Sequence, residues 1–259
     1  MINEFAFANN AIEEINLPES ITHIDEKAFL NNEIARLTIP ENVTYVGLEA
    51  FSRNSIIELN LSEGIEEIQD FAFANNLLNE VHIPDGITYL SGFSSNQITT
   101  VDLPINLTRI GSYAFTDNNL SELNIHENIR VIGEHAFKDN NITDLVVPGN
   151  VEVIGENSFA GNDIQYLFLE EGIIELGAEA FYGNRLRNIM IPDSVTMIGN
   201  GIFMENTITH VGLSSNIDEI PPYAFAENFI EEFVIPEGVI RIGSYAFTGN
   251  RLKRLTIPQ

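Results

Sequence analysis

The chain reads as a mostly β solenoid: a stack of near-identical turns whose short strands form one parallel sheet of about twelve strands. Three observations predict this. Phenylalanines recur in one phase at Phe7, Phe29, Phe51, Phe73, Phe93, Phe115, Phe137, Phe159, Phe181, Phe203, Phe225 and Phe247, at one constant interval that shortens by two only between Phe73 and Phe93. The third residue after each is always asparagine: Asn10, Asn32, Asn54, Asn76, Asn96, Asn118, Asn140, Asn162, Asn184, Asn206, Asn228 and Asn250. Positions five, eight and ten after each Phe are apolar in every copy, as in Ile142, Leu145 and Val147. A fixed period near twenty with several apolar columns marks units that bury a face only by stacking on their neighbours. The expectation is a single repeat domain spanning 1–259, a piece of a longer array or larger protein, since neither end shows a polar cap.

Each element of the unit has its own reason. The alternation Leu145, Val146, Val147 after Asp144 is strand-like, with the first and third of these apolar residues pointing inward. Proline follows that position in eight of the twelve units, as at Pro40, Pro148 and Pro236. Proline cannot extend a ladder, so the strand ends in a turn there. The next segment, VEVIG at 151–155, keeps apolar residues three apart, which suits a short extended arc or a 3₁₀ turn. The residue before each Phe is usually alanine, where space is tight. In the single short unit, YLSGF replaces a run like RIGSYAF, and Gly92 takes that place.

Columns of this kind, A-F-x-x-N-x-I/L-x-x-L-x-I-P-x-x-V-x-x-I-G, resemble the BspA-like leucine-rich repeats over essentially the whole chain. The family's better-known units often carry cysteine where this chain has Asn140 and its equivalents, so the chain is similar to a shorter, asparagine-bearing variant. The resemblance implies a leucine-rich-repeat solenoid and, outside the cell or at its surface, adhesion or ligand binding. Function on such a fold is carried by grafted sites and not by the fold itself.

Composition narrows the partners. Acidic residues outnumber basic ones 38 to 12, a net charge of -26. That charge repels nucleic-acid phosphates and anionic lipid at long range. No apolar run approaches a bilayer-spanning length, and MINEFAFANN lacks the basic start and apolar stretch of a secretory signal. Cysteine is absent, so disulfides and thiolate metal sites are unavailable. No cofactor is expected. The five histidines, His23, His82, His126, His135 and His210, fit no zinc-protease spacing, and no nucleophile motif is present. The chain therefore reads as a non-enzyme.

The invariant asparagine reads as architecture. Its amide carries both donor and acceptor atoms for backbone groups that no strand ladder reaches. Aspartate there would set like charges about 5 Å apart in a low-dielectric interior. An acidic residue follows the proline position in eight of eleven interior turns, for example Glu127, Glu171 and Asp193. Calcium favours oxygen ligands, but one carboxylate per turn does not build its cage, so a solvated acidic edge is the expectation.

The open face of the sheet holds the variable positions, seven and nine after each Phe. In the first six units the ninth position is Asn16, Thr38, Asn60, His82, Asp102 and Asn124, all polar. It then becomes Val146, Phe168, Met190, Gly212 and Val234, with Tyr166 and His210 in the seventh position. An apolar strip on a polar surface marks a partner site. Val146, Tyr166, Phe168, Met190, His210 and Val234 are thus the candidate residues for binding protein or carbohydrate. A spacer or assembly scaffold with no ligand is the alternative. The last unit carries Arg251, Lys253 and Arg254 where the first has Ala11, Glu13 and Glu14, which points to end-to-end self-association of copies.

Overall fold

A computed structural model describes residues 1–257, and every regular element among them is a short parallel strand, with no α- or 3₁₀-helix. The chain divides into two compact units, Met1–Leu123 and Asn124–Gln259.

In the first unit the strands are β1 His23–Ile24, β2 Arg36–Thr38, β3 Tyr45–Val46, β4 Glu58–Asn60, β5 Glu67–Ile68, β6 Tyr89–Leu90 and β7 Arg109–Ile110. Equivalent residues of successive turns pair in register: Leu37 with Leu59 between β2 and β4, and Val46 with Ile68 between β3 and β5. In the second unit they are β8 Val131–Ile132, β9 Asp144–Val147, β10 Val153–Ile154, β11 Tyr166–Leu169, β12 Glu175–Leu176, β13 Asn188–Met190, β14 Met197–Ile198, β15 His210–Gly212, β16 Glu219–Ile220, β17 Glu232–Val234, β18 Arg241–Ile242 and β19 Arg254–Thr256.

Two sets of strands therefore recur in each unit, each paired over part of the stack. One holds the longer strands after the asparagine; the other holds two-residue strands in the arc that follows the turn. The arc is extended backbone with its own parallel pairing, as between Val153 and Glu175, and not a 3₁₀ turn. Its β-branched residues three apart bury one side chain each, Ile154 among them, so an extended path reaches the core without tightening. Among the described residues the longer strands are eight, since segments 15–17, 81–83, 101–103 and 123–125 carry no strand pairing.

The core repeats with the turn. Phe29, Phe51, Phe73, Phe93 and Phe115 in the first unit are buried, and each ring stacks on its neighbour at centroid distances of 5.0–5.8 Å. In the second unit Phe137, Phe159, Phe181, Phe203 and Phe225 do the same at 5.4–5.8 Å. Offset stacking of this kind adds about 0.5–1.5 kcal/mol per pair beyond burial.

Positive φ flanks the phenylalanine on both sides. Two residues before it stand Lys27, Glu49, Tyr113 and Glu179, and two after it Asn31, Arg53, Asp117 and Glu205, all with φ between 52° and 57°. Each left-handed residue reverses the chain locally, so the backbone turns tightly around the Phe without a helix.

At the short turn of the first unit, Gly92 takes φ 102°, and a Cβ there would meet the Gln69 carbonyl oxygen at 2.9 Å. The shortened backbone also lets side chains from two turns apart meet across it: the rings of Phe71 and Tyr113 lie 5.6 Å apart.

Candidate functional site

The asparagines build the inner wall of each unit. In ten of them, Asn32, Asn54, Asn76, Asn96 and Asn118 in the first unit and Asn162, Asn184, Asn206, Asn228 and Asn250 in the second, Nδ2 donates to two phenylalanine carbonyls. One belongs to the same turn, at 3.0–3.2 Å, and one to the preceding turn, at 2.7–3.0 Å. Oδ1 accepts a backbone N–H of the preceding turn at 2.9–3.2 Å, for instance from Ile164 to Asn184. Asn10 and Asn140 donate to carbonyls of their own turn, those of Phe7 and Phe137 among them. A side chain that must donate twice and accept once in a buried place has no ionisable substitute, because a carboxylate donates nothing.

The open face of the second unit lies on β9, β11, β13, β15, β17 and β19. Alternation puts one set of side chains inward and the other out. Val146 is 47% exposed, Phe168 48%, Val234 67% and Met190 74%. Pairing sets Phe168 beside Val146 and Tyr166 beside Asp144. Met190 pairs with Gly212 and His210 with Asn188, while Val234 stands opposite Thr256. Gly212 leaves a gap that its neighbour fills: a Cβ there would lie 2.5 Å from the Met190 Sδ. The thioether thus bridges the break in the row. His210 is exposed, with Nδ1 2.9 Å from the Thr209 hydroxyl oxygen.

A groove crosses this face. Tyr166, Phe168, Asn188 and Met190 line it, with Leu213 also contributing. Leu167 and Val211, the inward residues of β11 and β15, are only half-buried. At the C-terminal ends of the strands the groove is rimmed by Glu170, Glu171 and Asp193.

Those carboxylates are more than a solvated edge. Glu171 accepts the amides of Asp193 and Ser194 at 3.1 and 3.0 Å, and Glu170 accepts that of Gly149 at 3.1 Å. Asp193 accepts the amide and hydroxyl of Ser215 at 2.9 and 3.0 Å. These bonds, the amide foremost, hold the Asp193 carboxyl below its usual pKa. Each acid ties its turn to a neighbouring one. Among the described residues no group of three or more metal-ligating side chains comes together.

The N-terminal ends of the strands carry mixed charge, with Asp144, Glu231 and Glu232 exposed there beside basic residues. Arg187 is exposed directly before β13, and among the described residues its guanidinium has no ion pair. Arg185 pairs with Asp163 at 2.8 Å. The basic residues of the last turn lie against the turn before them: Lys253 pairs with Glu231 at 3.0 Å, Arg254 with Glu232 at 2.5 Å, and Arg251 stacks 4.1 Å over the Phe229 ring.

Sequence reasoning names the strip and the acidic column, but not the place of that column at the groove's rim. The acidic column is visible, yet its bonds to neighbouring amides are not, because they depend on how the turns project. The left-handed positions have a signal: Asn9, Asn31, Asn75, Asp117, Asp139, Gly161, Gly183 and Gly249 share one column, the residue types that tolerate positive φ.

No helix among the described residues is long and apolar enough to cross a membrane. No curated protein matches the chain. Several solved structures share its fold. A leucine-rich repeat protein from Bacteroides ovatus is 24% identical, with 95% of this chain and 73% of that one covered and a TM-score of 0.64. YopM from Yersinia enterocolitica is 18% identical, with 97% and 61% covered and a TM-score of 0.59. The pneumococcal vaccine antigen PcpA is 17% identical, with 92% and 72% covered and a TM-score of 0.51. At these identities the likeness is one of fold. The family model of the BspA type leucine rich repeat region matches residues 1–92, 88–165 and 153–259. With its whole length so matched, the chain belongs to the BspA-type leucine-rich repeat family.

Proposed function

We propose that the chain is a non-enzymatic binding module of a cell-surface or secreted protein, holding a protein or carbohydrate partner on the open sheet face of its second unit. The observation that carries the reading is the row Val146, Phe168, Met190 and Val234, each about half exposed or more. A monomer gains nothing from keeping such side chains in water, and contiguous apolar patches mark interaction sites. Tyr166 and His210 flank the row with groups that combine an apolar body and a polar tip. Among structures of this fold, one is described as a vaccine antigen and another, YopM of Yersinia pestis, as an effector protein. Those descriptions are consistent with a module that meets other molecules outside its own cell.

Binding to protein and glycan arrays, compared between the wild-type chain and Phe168→Asp, tests the reading. Phe168 is exposed, so the variant is expected to fold and to lose about tenfold or more in affinity, a change of about 1.4 kcal/mol or more. A partner held equally by both proteins overturns the site. Absence of any partner on either array favours a spacer.

A further inference from the structure

Resting on that reading, we infer that the occupant of the open face is an amphipathic α-helix of a partner protein, with lysine or arginine along one flank. Three features of the groove carry this.

The first is spacing. The row from Val146 through Phe168, Met190 and Gly212 to Val234 advances one solenoid turn per position, about 4.8 Å across the paired strands β9–β11 and β13–β15. A helix presents one side chain per turn to such a row, at intervals of about 5.4 Å. Across each paired step the mismatch is only about 0.6 Å, which side-chain rotation absorbs. An extended segment offers same-side residues at intervals of about 6.7 Å, and it falls out of step by the second contact.

The second is width. β11 has four residues and so spans about 13 Å, close to the diameter of about 10–12 Å of a helix with its side chains.

The third is charge. Glu170, Glu171 and Asp193 rim one side of the groove, each pinned by a neighbouring turn's amide. On the other side Arg187 stands among exposed Asp144, Glu231 and Glu232, with no single sign of charge. A helix lying along the row therefore sets its lysines against the carboxylate rim at the C-terminal ends of the strands. The overall charge of -26 adds long-range attraction for the cationic flank. Helix-in-groove recognition uses anchors at i, i+3 or i+4 and i+7, the pattern this row demands.

The probe is a lactam-bridged helical peptide of about 18 residues, about 27 Å long, with leucine at i, i+4, i+7 and i+11 and lysine along one flank. Its controls are the same composition with a central proline, the same helix with glutamate for lysine, an alternating Leu-Lys extended peptide, and a glycan array. Fluorescence anisotropy against the full 259-residue chain is expected to show the lysine-flanked helix binding about tenfold or more tighter than every control. Phe168→Asp is expected to weaken it about tenfold. The variant Glu170→Gln keeps an oxygen to accept the Gly149 amide, and is expected to weaken binding about threefold and to flatten its salt dependence. Equal binding of the proline or extended control, or no binding of the helix, overturns the helical occupant. If an extended peptide or a glycan binds and Phe168→Asp abolishes it, the strip remains a site and only the helix is lost. If a bound probe is indifferent to Phe168→Asp, both fall.

Discussion

Asn184 shows what one side chain does for the stack. Its Nδ2 reaches the carbonyls of Phe159 and Phe181 at 2.9 and 3.2 Å, and its Oδ1 takes the Ile164 amide at 3.0 Å. Three buried backbone groups on two turns depend on it. Asn184→Asp removes the donor, leaves two carbonyls facing a carboxylate, and is expected to lower unfolding stability by about 3 kcal/mol or more at neutral pH. The exposed Asn188→Asp is the control and should change it by less than about 0.5 kcal/mol. Burial raises the new carboxyl's pKa, so the penalty is greatest at high pH and shrinks as the group protonates on acidification. Urea melts of both variants at several pH values measure this. The strict recurrence of asparagine is legible in the sequence; the bond to the preceding turn's phenylalanine carbonyl is not, because it joins residues 25 apart that only stacking brings together.

At the turns, backbone geometry decides which substitutions the chain tolerates. Gly92 sits at φ 102° with no room for a Cβ beside Gln69. Gly92→Ala therefore combines backbone strain with a clash against main chain, and is expected to cost about 2 kcal/mol or more in a urea melt. The acidic turn at Asp193 gives a pH signature. Its folded pKa is depressed by Ser215, so the stability it contributes is present above its unfolded pKa and is lost as pH falls through the folded value. The melting temperature of Asp193→Ala is expected to lie below wild type at neutral pH, with the gap closing as both are titrated below the carboxylate range. The location of these turns follows from the Pro and Gly pattern. The role of their carboxylates does not, since an acid after a proline reads the same whether it faces water or the next turn's amide.

At the scale of the chain, the excess of 38 acidic over 12 basic residues opposes the folded state through self-repulsion. Raising sodium chloride from about 10 to 200 mM is expected to raise the melting temperature by screening. Millimolar calcium should add nothing beyond sodium at matched ionic strength, because Glu170, Glu171 and Asp193 already serve backbone amides and among the described residues no group of three or more metal-ligating side chains comes together; a calcium-specific rise would contradict this. By itself the sequence determined the period, the stacked phenylalanines, the inward columns and the row of outward positions that turns apolar at Val146. These are properties of one repeat copied along the chain, and alternation or spacing within a single copy is enough to state them. Only the tertiary structure decided what lies beside what across turns: the second set of strands in the arcs, the Met190 thioether over Gly212, and the carboxylates pinned along one rim of the strip. Those relations join residues one period apart, and local patterning carries no record of the angle at which side chains leave neighbouring turns.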